Sequence, residues 1–209
     1  MRISYIISLL LSFSFAFILA SKLEAQSCDF IEGMSSSQKV ECGLLEVPEN
    51  HDDPQGRKIE IAYVLVKAKN PLSGKFPLIT FSGGPGGASI HPMSAEAWSQ
   101  SPINDERDII VFDQRGIGYS SGLPNMEKDF FDLMAKNADE EEEQILMDEI
   151  VKKYKKLCDE QGIGLAYYNS FQNARDVGLL MDHLGYEQYN IGGGSYGTRL
   201  ARVVQDMFP

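Results

Sequence analysis

The stretch that most constrains this chain is Gly192-Gly193-Gly194-Ser195-Tyr196-Gly197. A brief apolar run, Tyr189-Asn190-Ile191, leads into it, and Leu200, Val203, Val204 and Met207 recur behind it at helical spacing. The backbone must therefore turn from strand to helix within a few residues. A turn that tight presses neighbouring chain against the positions two before and two after Ser195, Gly193 and Gly197, where a side chain would clash. The serine is left at the apex, with the amino end of a helix beginning at Tyr196.

The rest of the chain supplies the sheet this turn needs. Gly43–Pro48, Lys58–Lys67, Phe76–Phe81 and Asp108–Phe112 read as strands, the later ones continuously apolar. Met93–Ser99 is expected to be a short helix. Asp139 is expected to cap a helix with acidic residues Glu140 to Glu143 in its first turn, lysines towards its end and Gly162 as its stop. That pattern accounts for the acidic run without a metal. Ser170 is expected to cap the next helix, which carries Ala174, Val177, Leu180, Met181 and Leu184 as its stripe and stops at Gly185. Apolar strands alternating with helices predict a mostly parallel central sheet with helices on both faces.

The first residues differ in kind. Met1-Arg2 precedes an uncharged apolar run to Ala20, then a short polar flank to Gln26. Residues 1–25 are expected to be a signal peptide, cleaved after Ala25 or Ala20, and 26–209 the remaining domain. Export to the periplasm or medium follows, with membrane attachment only through an uncleaved signal or a lipid on Cys28. Export permits a disulfide, and Cys28 with Cys42 is the nearest pair, leaving Cys158 over. The net charge of −11 argues against nucleic acid as a partner. No cysteine or histidine spacing suggests a metal, and no cofactor is expected.

Two readings of the glycine-rich turn remain. Gly192, Gly194 and Gly197 also match a dinucleotide fingerprint. That motif normally follows the first strand of its unit and is answered by an acidic residue about 20 positions on. Here several strands come earlier, and the chain runs 12 residues past Gly197. A serine nucleophile accounts better for the context. Acyl transfer then needs two N–H donors for the oxyanion, one from the residue after the nucleophile, Tyr196, and one from a loop after an earlier strand. Gly83-Gly84-Pro85-Gly86-Gly87 is such a loop, with Gly84 the best donor and Gly83 the next.

Taken together, Phe81-Ser-Gly-Gly-Pro-Gly-Gly87, Asp113-Gln-Arg-Gly-Ile-Gly-Tyr-Ser120 and Gly193-Gly-Ser-Tyr-Gly-Thr198 resemble the prolyl aminopeptidase and tripeptidyl aminopeptidase branch of the α/β hydrolases. Glu41-Cys-Gly-Leu-Leu-Glu-Val-Pro48 resembles the start of exported tripeptidyl members. The resemblance implies the α/β-hydrolase fold, Ser195 as nucleophile, and a structural task for Asp113 and Arg115 in the loop beside the site. It implies an exported aminopeptidase that releases N-terminal residues or short peptides through an acyl-enzyme. A carboxylester hydrolase of the same fold and an inactive remnant are the alternatives. Ser82 departs from members with a histidine before the glycines. Gly122-Leu-Pro-Asn-Met126 lacks the cysteine those members often carry, which would leave Cys158 without its mate.

In this fold the triad runs serine, then carboxylate, then histidine. Only 14 residues follow Ser195, and His51, His91 and His183 all precede it. The segment is therefore expected to be the N-terminal part of the domain, without its catalytic Asp and His, and to be inactive by itself. Of the three histidines only His91, just after the glycine loop, is placed to approach Ser195.

Overall fold

The computed structural model describes residues 28–31, 33–34 and 39–209. The expected signal peptide lies outside them. Five strands form one sheet in the order β1-β2-β4-β3-β5: β1 (Val40–Pro48), β2 (Lys58–Val66), β3 (Leu78–Phe81), β4 (Ile109–Phe112) and β5 (Asn190–Gly193). β3 runs parallel to β4 and to β5, whereas β1/β2 and β2/β4 pair antiparallel. The sheet is thus mixed, and its parallel part carries Ser195. The order is not consecutive because β4 inserts between β2 and β3. β3 therefore lies beside β5, and their C-terminal ends, Phe81 and Gly193, stand side by side.

Both faces of the sheet are buried, which explains the unbroken apolar runs. On one face Ile59, Ile61, Tyr63 and Leu65 of β2 and Ile110 and Phe112 of β4 pack with Ile79 and Phe81 of β3. This core is closed by Ala174, Val177, Leu180 and Met181 of α4 (Ser170–His183) and Leu200 and Val204 of α5 (Tyr196–Met207). On the other face Ala62, Val64, Val66, Ile109 and Val111 meet Ile90, Ala95 in α1 (Ser94–Ser99), and the Cys28–Phe30 turn. A disulfide of 2.06 Å joins Cys28 to Cys42 and ties that turn to β1.

Several elements depart from the sequence expectations. β1 begins at Val40, so Cys42 lies within the strand. β5 starts one residue later than expected and continues into the glycines. α4 is capped by Asn169, whose side chain accepts from the Phe171 and Gln172 amides, and Ser170 is its first helical residue. α3 (Glu140–Glu160) is capped by Asp139 as expected, through the Glu142 amide, but its last turn holds no basic residue. The lysines lie one turn earlier. α2 (Glu127–Met134) has no counterpart in the expectations, and Leu133 is its one buried residue.

Candidate active site

The turn between β5 and α5 has the geometry its glycines require. Ser195 has φ 51° and ψ −123°, and it is the only non-glycine with positive φ among the described residues. Such a conformation costs on the order of 1–3 kcal/mol and persists only where the surroundings impose it. A Cβ added at Gly193 would lie 2.5 Å from the Gly197 carbonyl, and one at Gly197 would collide with the Phe81 carbonyl oxygen. Gly194, directly before the serine, has open space around its Cα. Hydrogen bonds from Gly194 N to Phe81 O (3.3 Å) and from Gly197 N to Gly194 O (2.8 Å) fix the turn against β3.

Ser195 is exposed, and among the described residues its Oγ has no hydrogen-bond partner. The glycine loop after β3 lies against it: a Cβ on Gly83 would sit 2.9 Å from Ser195 Cβ and 3.4 Å from Ser195 Oγ. Ser82 holds this loop closed, with its Oγ 2.6 Å from Gly87 O and 2.7 Å from Ser89 Oγ. Gly87 N donates to Gly83 O across the loop at 3.1 Å. Gly84 has φ +114° and Gly86 φ +100°, backbone that L side chains rarely adopt. The Gly84 and Tyr196 amides donate to no group among the described residues, so both N–H groups are available to an oxyanion.

The Asp113 loop has a different task. Asp113 is fully buried, and its carboxylate accepts from the amides of Ser89 (2.6 Å), Ile90 (3.0 Å) and Tyr119 (2.9 Å). It thereby ties the glycine loop to its own loop. Burial pushes its pKa above the usual carboxylate value, with the three amides acting against that rise. Arg115 is also buried. Its guanidinium grips Asp176 of α4 with two bonds (2.8 and 2.7 Å) and donates to Glu49 O (2.5 Å), Tyr167 O (2.9 Å) and Pro48 O (3.3 Å). Asp176 also meets His51 Nε2 at 2.7 Å. The sequence reading did not single out Asp176. The available signal was its position one residue before Val177, within the apolar stripe of α4, where a carboxylate requires a buried cation.

The three histidines lie apart from Ser195 in bonding. His51 pairs with Asp176, His183 Nε2 lies 3.2 Å from Tyr63 Oη, and the exposed His91 donates through its backbone to Ser94. Cys158 is buried and free. Among the described residues no group of acidic, histidine or cysteine side chains could hold a metal, and no helix is long and apolar enough to cross a membrane.

The residues flanking Ser195 line two cavities. Gly193 and Gly194, with Ser82, Ser89 and Trp98, border one of about 460 Å³. Tyr196, with Pro85, Gly86 and Gln114, borders one of about 220 Å³. Tyr196 Oη lies 2.8 Å from Ser170 Oγ, which joins the residue after the serine to the start of α4.

This turn, its strand-to-helix setting and the facing glycine loop define an α/β hydrolase, and the chain belongs to that family: the model of the alpha/beta hydrolase fold matches residues 77–209. Within it the chain is similar to the tripeptidyl aminopeptidase of Streptomyces coelicolor, at 28% identity over 180 residues, covering 81% of this chain and 33% of that protein. It is similar also to the serine protease Hip1 of Mycobacterium tuberculosis, at 27% over 175 residues, covering 80% and 33%. The chain thus spans about a third of the length of these curated relatives. Among solved structures, the proline iminopeptidase of Mycobacterium smegmatis superimposes with a TM-score of 0.45 at 20% identity, over 78% of this chain and 38% of that one.

Proposed function

We propose that the chain carries the nucleophile and oxyanion side of an exported serine hydrolase that cleaves N-terminal peptide bonds of short peptides. The observation that carries this reading is the strained backbone of Ser195, which presents an exposed Oγ, unbonded among the described residues, beside the glycine loop. Ser195 Oγ attacks the scissile carbonyl and forms an acyl-enzyme, and the amine leaves. Water then releases the acyl group. The Tyr196 amide and the Gly84 amide, with Gly83 as the neighbouring candidate, receive the oxyanion, each contributing about 3 kcal/mol to transition-state stabilisation. Serine is a weak nucleophile unless a base takes its proton. In this fold that base is a histidine held by a carboxylate, both later in the chain than the serine. Asp113 and Arg115 act by holding the two loops in place, away from the reacting atoms.

The peptide preference draws on the names of the relatives, since the same constellation serves esters. A fluorophosphonate probe on the full chain tests the nucleophile. Labelling that vanishes in Ser195→Ala supports the assignment. Labelling that survives the substitution overturns it, and silence in a folded sample indicates a chain without catalysis. Amino-acid and tripeptide amides offered beside simple esters test the substrate. Peptide turnover no better than ester turnover removes the aminopeptidase assignment.

A further inference from the structure

The cleft on the Tyr196 side adjoins a feature that the serine chemistry leaves unexplained. Leu123 borders this cleft and also borders a second groove of about 300 Å³, lined by Met126, Val151, Tyr154, Cys158 and Leu165. Its side chain rests on the loop backbone: a Cβ on Gly116 would lie 2.7 Å from Leu123 Cγ. Leu123 is therefore a partition between the two spaces, held from beneath by a glycine.

The groove is apolar because its polar atoms are engaged elsewhere. Tyr154 Oη lies 2.8 Å from Asn125 O and 2.7 Å from Asp129 Oδ2, so its ring alone faces the groove. Lys155 Nζ is paired with Asp159 at 2.6 Å. Burial raises the pKa of Cys158, which keeps its thiol protonated and uncharged. The adjoining cleft is equally poor in free charge. Arg115 is its one ionised residue, and that guanidinium is fully engaged and inaccessible. Tyr168, which also borders the cleft, has its pKa pushed up by burial and by its bond to Glu49, so it too stays neutral. No free carboxylate lines either space, and the one exposed cation, Lys155 at the edge of the groove, is paired with Asp159. The cleft carries the side chains of Gln114, Asn169 and Asn173, whereas the groove walls accept an uncharged, extended apolar group.

The larger cavity beside Gly193 is of another kind. It runs along the strands from Ser82 back to Leu78, where β3 begins. It is therefore a sheet face, the surface on which layered folds pack another element.

We propose that the groove along α3 is an apolar subsite of the cleft beside Tyr196, that it takes an uncharged apolar arm of the acyl substrate, and that Leu123 sets how far this arm reaches. The proposal rests on Ser195 being the nucleophile.

Two measurements on the full chain separate the proposal from that premise. The first compares fluorophosphonates bearing an ethyl or a decyl chain. The decyl probe should label Ser195 about tenfold faster or more. The ratio of the two rates should fall to about one in Val151→Asp and Leu165→Asp, which place a carboxylate in the groove, and should change in Leu123→Ala. Ile145→Asp, an exposed site on α3 outside the groove, should leave both rates unaltered. Equal labelling by the two probes in the unsubstituted chain, or a decyl advantage that survives both groove carboxylates, overturns the subsite. The second measurement is calorimetric binding of N-decylacetamide to Ser195→Ala. Binding weakened about tenfold or more by Val151→Asp supports the subsite even where no probe labels. Absence of binding overturns it even where labelling is efficient.

Discussion

A methyl group added to Gly83 would lie 2.9 Å from Cβ of Ser195 and 3.4 Å from its Oγ. The two residues come from different crossovers, 112 positions apart in sequence, and meet because β3 and β5 are neighbours. Gly83 does not occupy left-handed backbone, so alanine there carries no φ strain, but Ser195 Cβ and the Gly194 carbonyl oxygen, 3.3 Å away, are held by backbone and must shift. Its cost should fall on the serine. Gly83→Ala should remain folded, with an unfolding midpoint lowered less than in Gly197→Ala, while fluorophosphonate labelling slows about ten- to a hundredfold. Parallel measurement of labelling rate and urea midpoint checks this. Unchanged labelling would mean that the glycine loop stands farther from the serine than described.

Gly197→Ala should cost more in stability. Its Cβ would meet the Phe81 carbonyl oxygen and stand 3.0 Å from Ser82 O, both backbone atoms of the strand end on which α5 rests. Backbone cannot give way as a flexible side chain can. The helix must move off the sheet, at a cost of about 2 kcal/mol or more. Urea unfolding should show a lowered midpoint with an unchanged slope.

Asp113 predicts a pH dependence of definite sign. Its folded-state pKa is raised above the ordinary carboxylate value, mainly by burial. Between the ordinary value and the raised one, the folded state binds more protons than the unfolded state. This group's contribution to stability is therefore complete below the ordinary carboxylate pKa and is lost as pH rises through the folded value. Asp113→Asn cannot titrate, and its amide offers one acceptor oxygen to the three N–H groups of Ser89, Ile90 and Tyr119. It should be less stable than the unsubstituted chain by about 1–3 kcal/mol at neutral pH. The difference should widen as pH falls through that window, then level off. Urea titrations across the acid range give the comparison. A gap that narrows on acidification would reverse the sign.

The elbow was legible in sequence because its constraint is local. Gly193, Ser195 and Gly197 are close in the chain, and the clash that selects the glycines arises within one turn and the strand beside it. Asp139 was legible for the same reason, since a cap bonds three residues ahead. α2 was not. Phe130 and Phe131 remain exposed, so Glu127–Met134 carries no clean apolar stripe, and Met126 offers no capping oxygen. Asn169 and Ser170 are both good caps, and only the backbone decides between them. Strand order was hidden as well. Nothing in the apolar run of β4 says that it separates β2 from β3, because such a run reports burial on both faces and not the identity of its neighbours.

Asp176 depended on tertiary structure most of all, and its partnership with Arg115 gives the last test. Both side chains are fully buried. The guanidinium joins the end of β1, the Tyr167 turn and α4 around one point. Removing either charge strands the other away from water, so Asp176→Asn and Arg115→Met should each cost about 3–5 kcal/mol. The double variant should lose clearly less than the two losses added together, because neither charge is then left alone. Arg115→Lys should rescue little. A single ammonium cannot span the two carboxylate oxygens together with the carbonyls of Glu49, Tyr167 and Pro48. Arg115→Met leaves Asp176 its contact with His51, whereas Asp176→Asn takes the carboxylate from both neighbours, so Asp176→Asn should be the worse single change. A double-mutant cycle by urea unfolding at neutral pH measures the coupling. Additive losses would show that the two charges are stabilised independently, and that Arg115 holds its loop through the carbonyls alone.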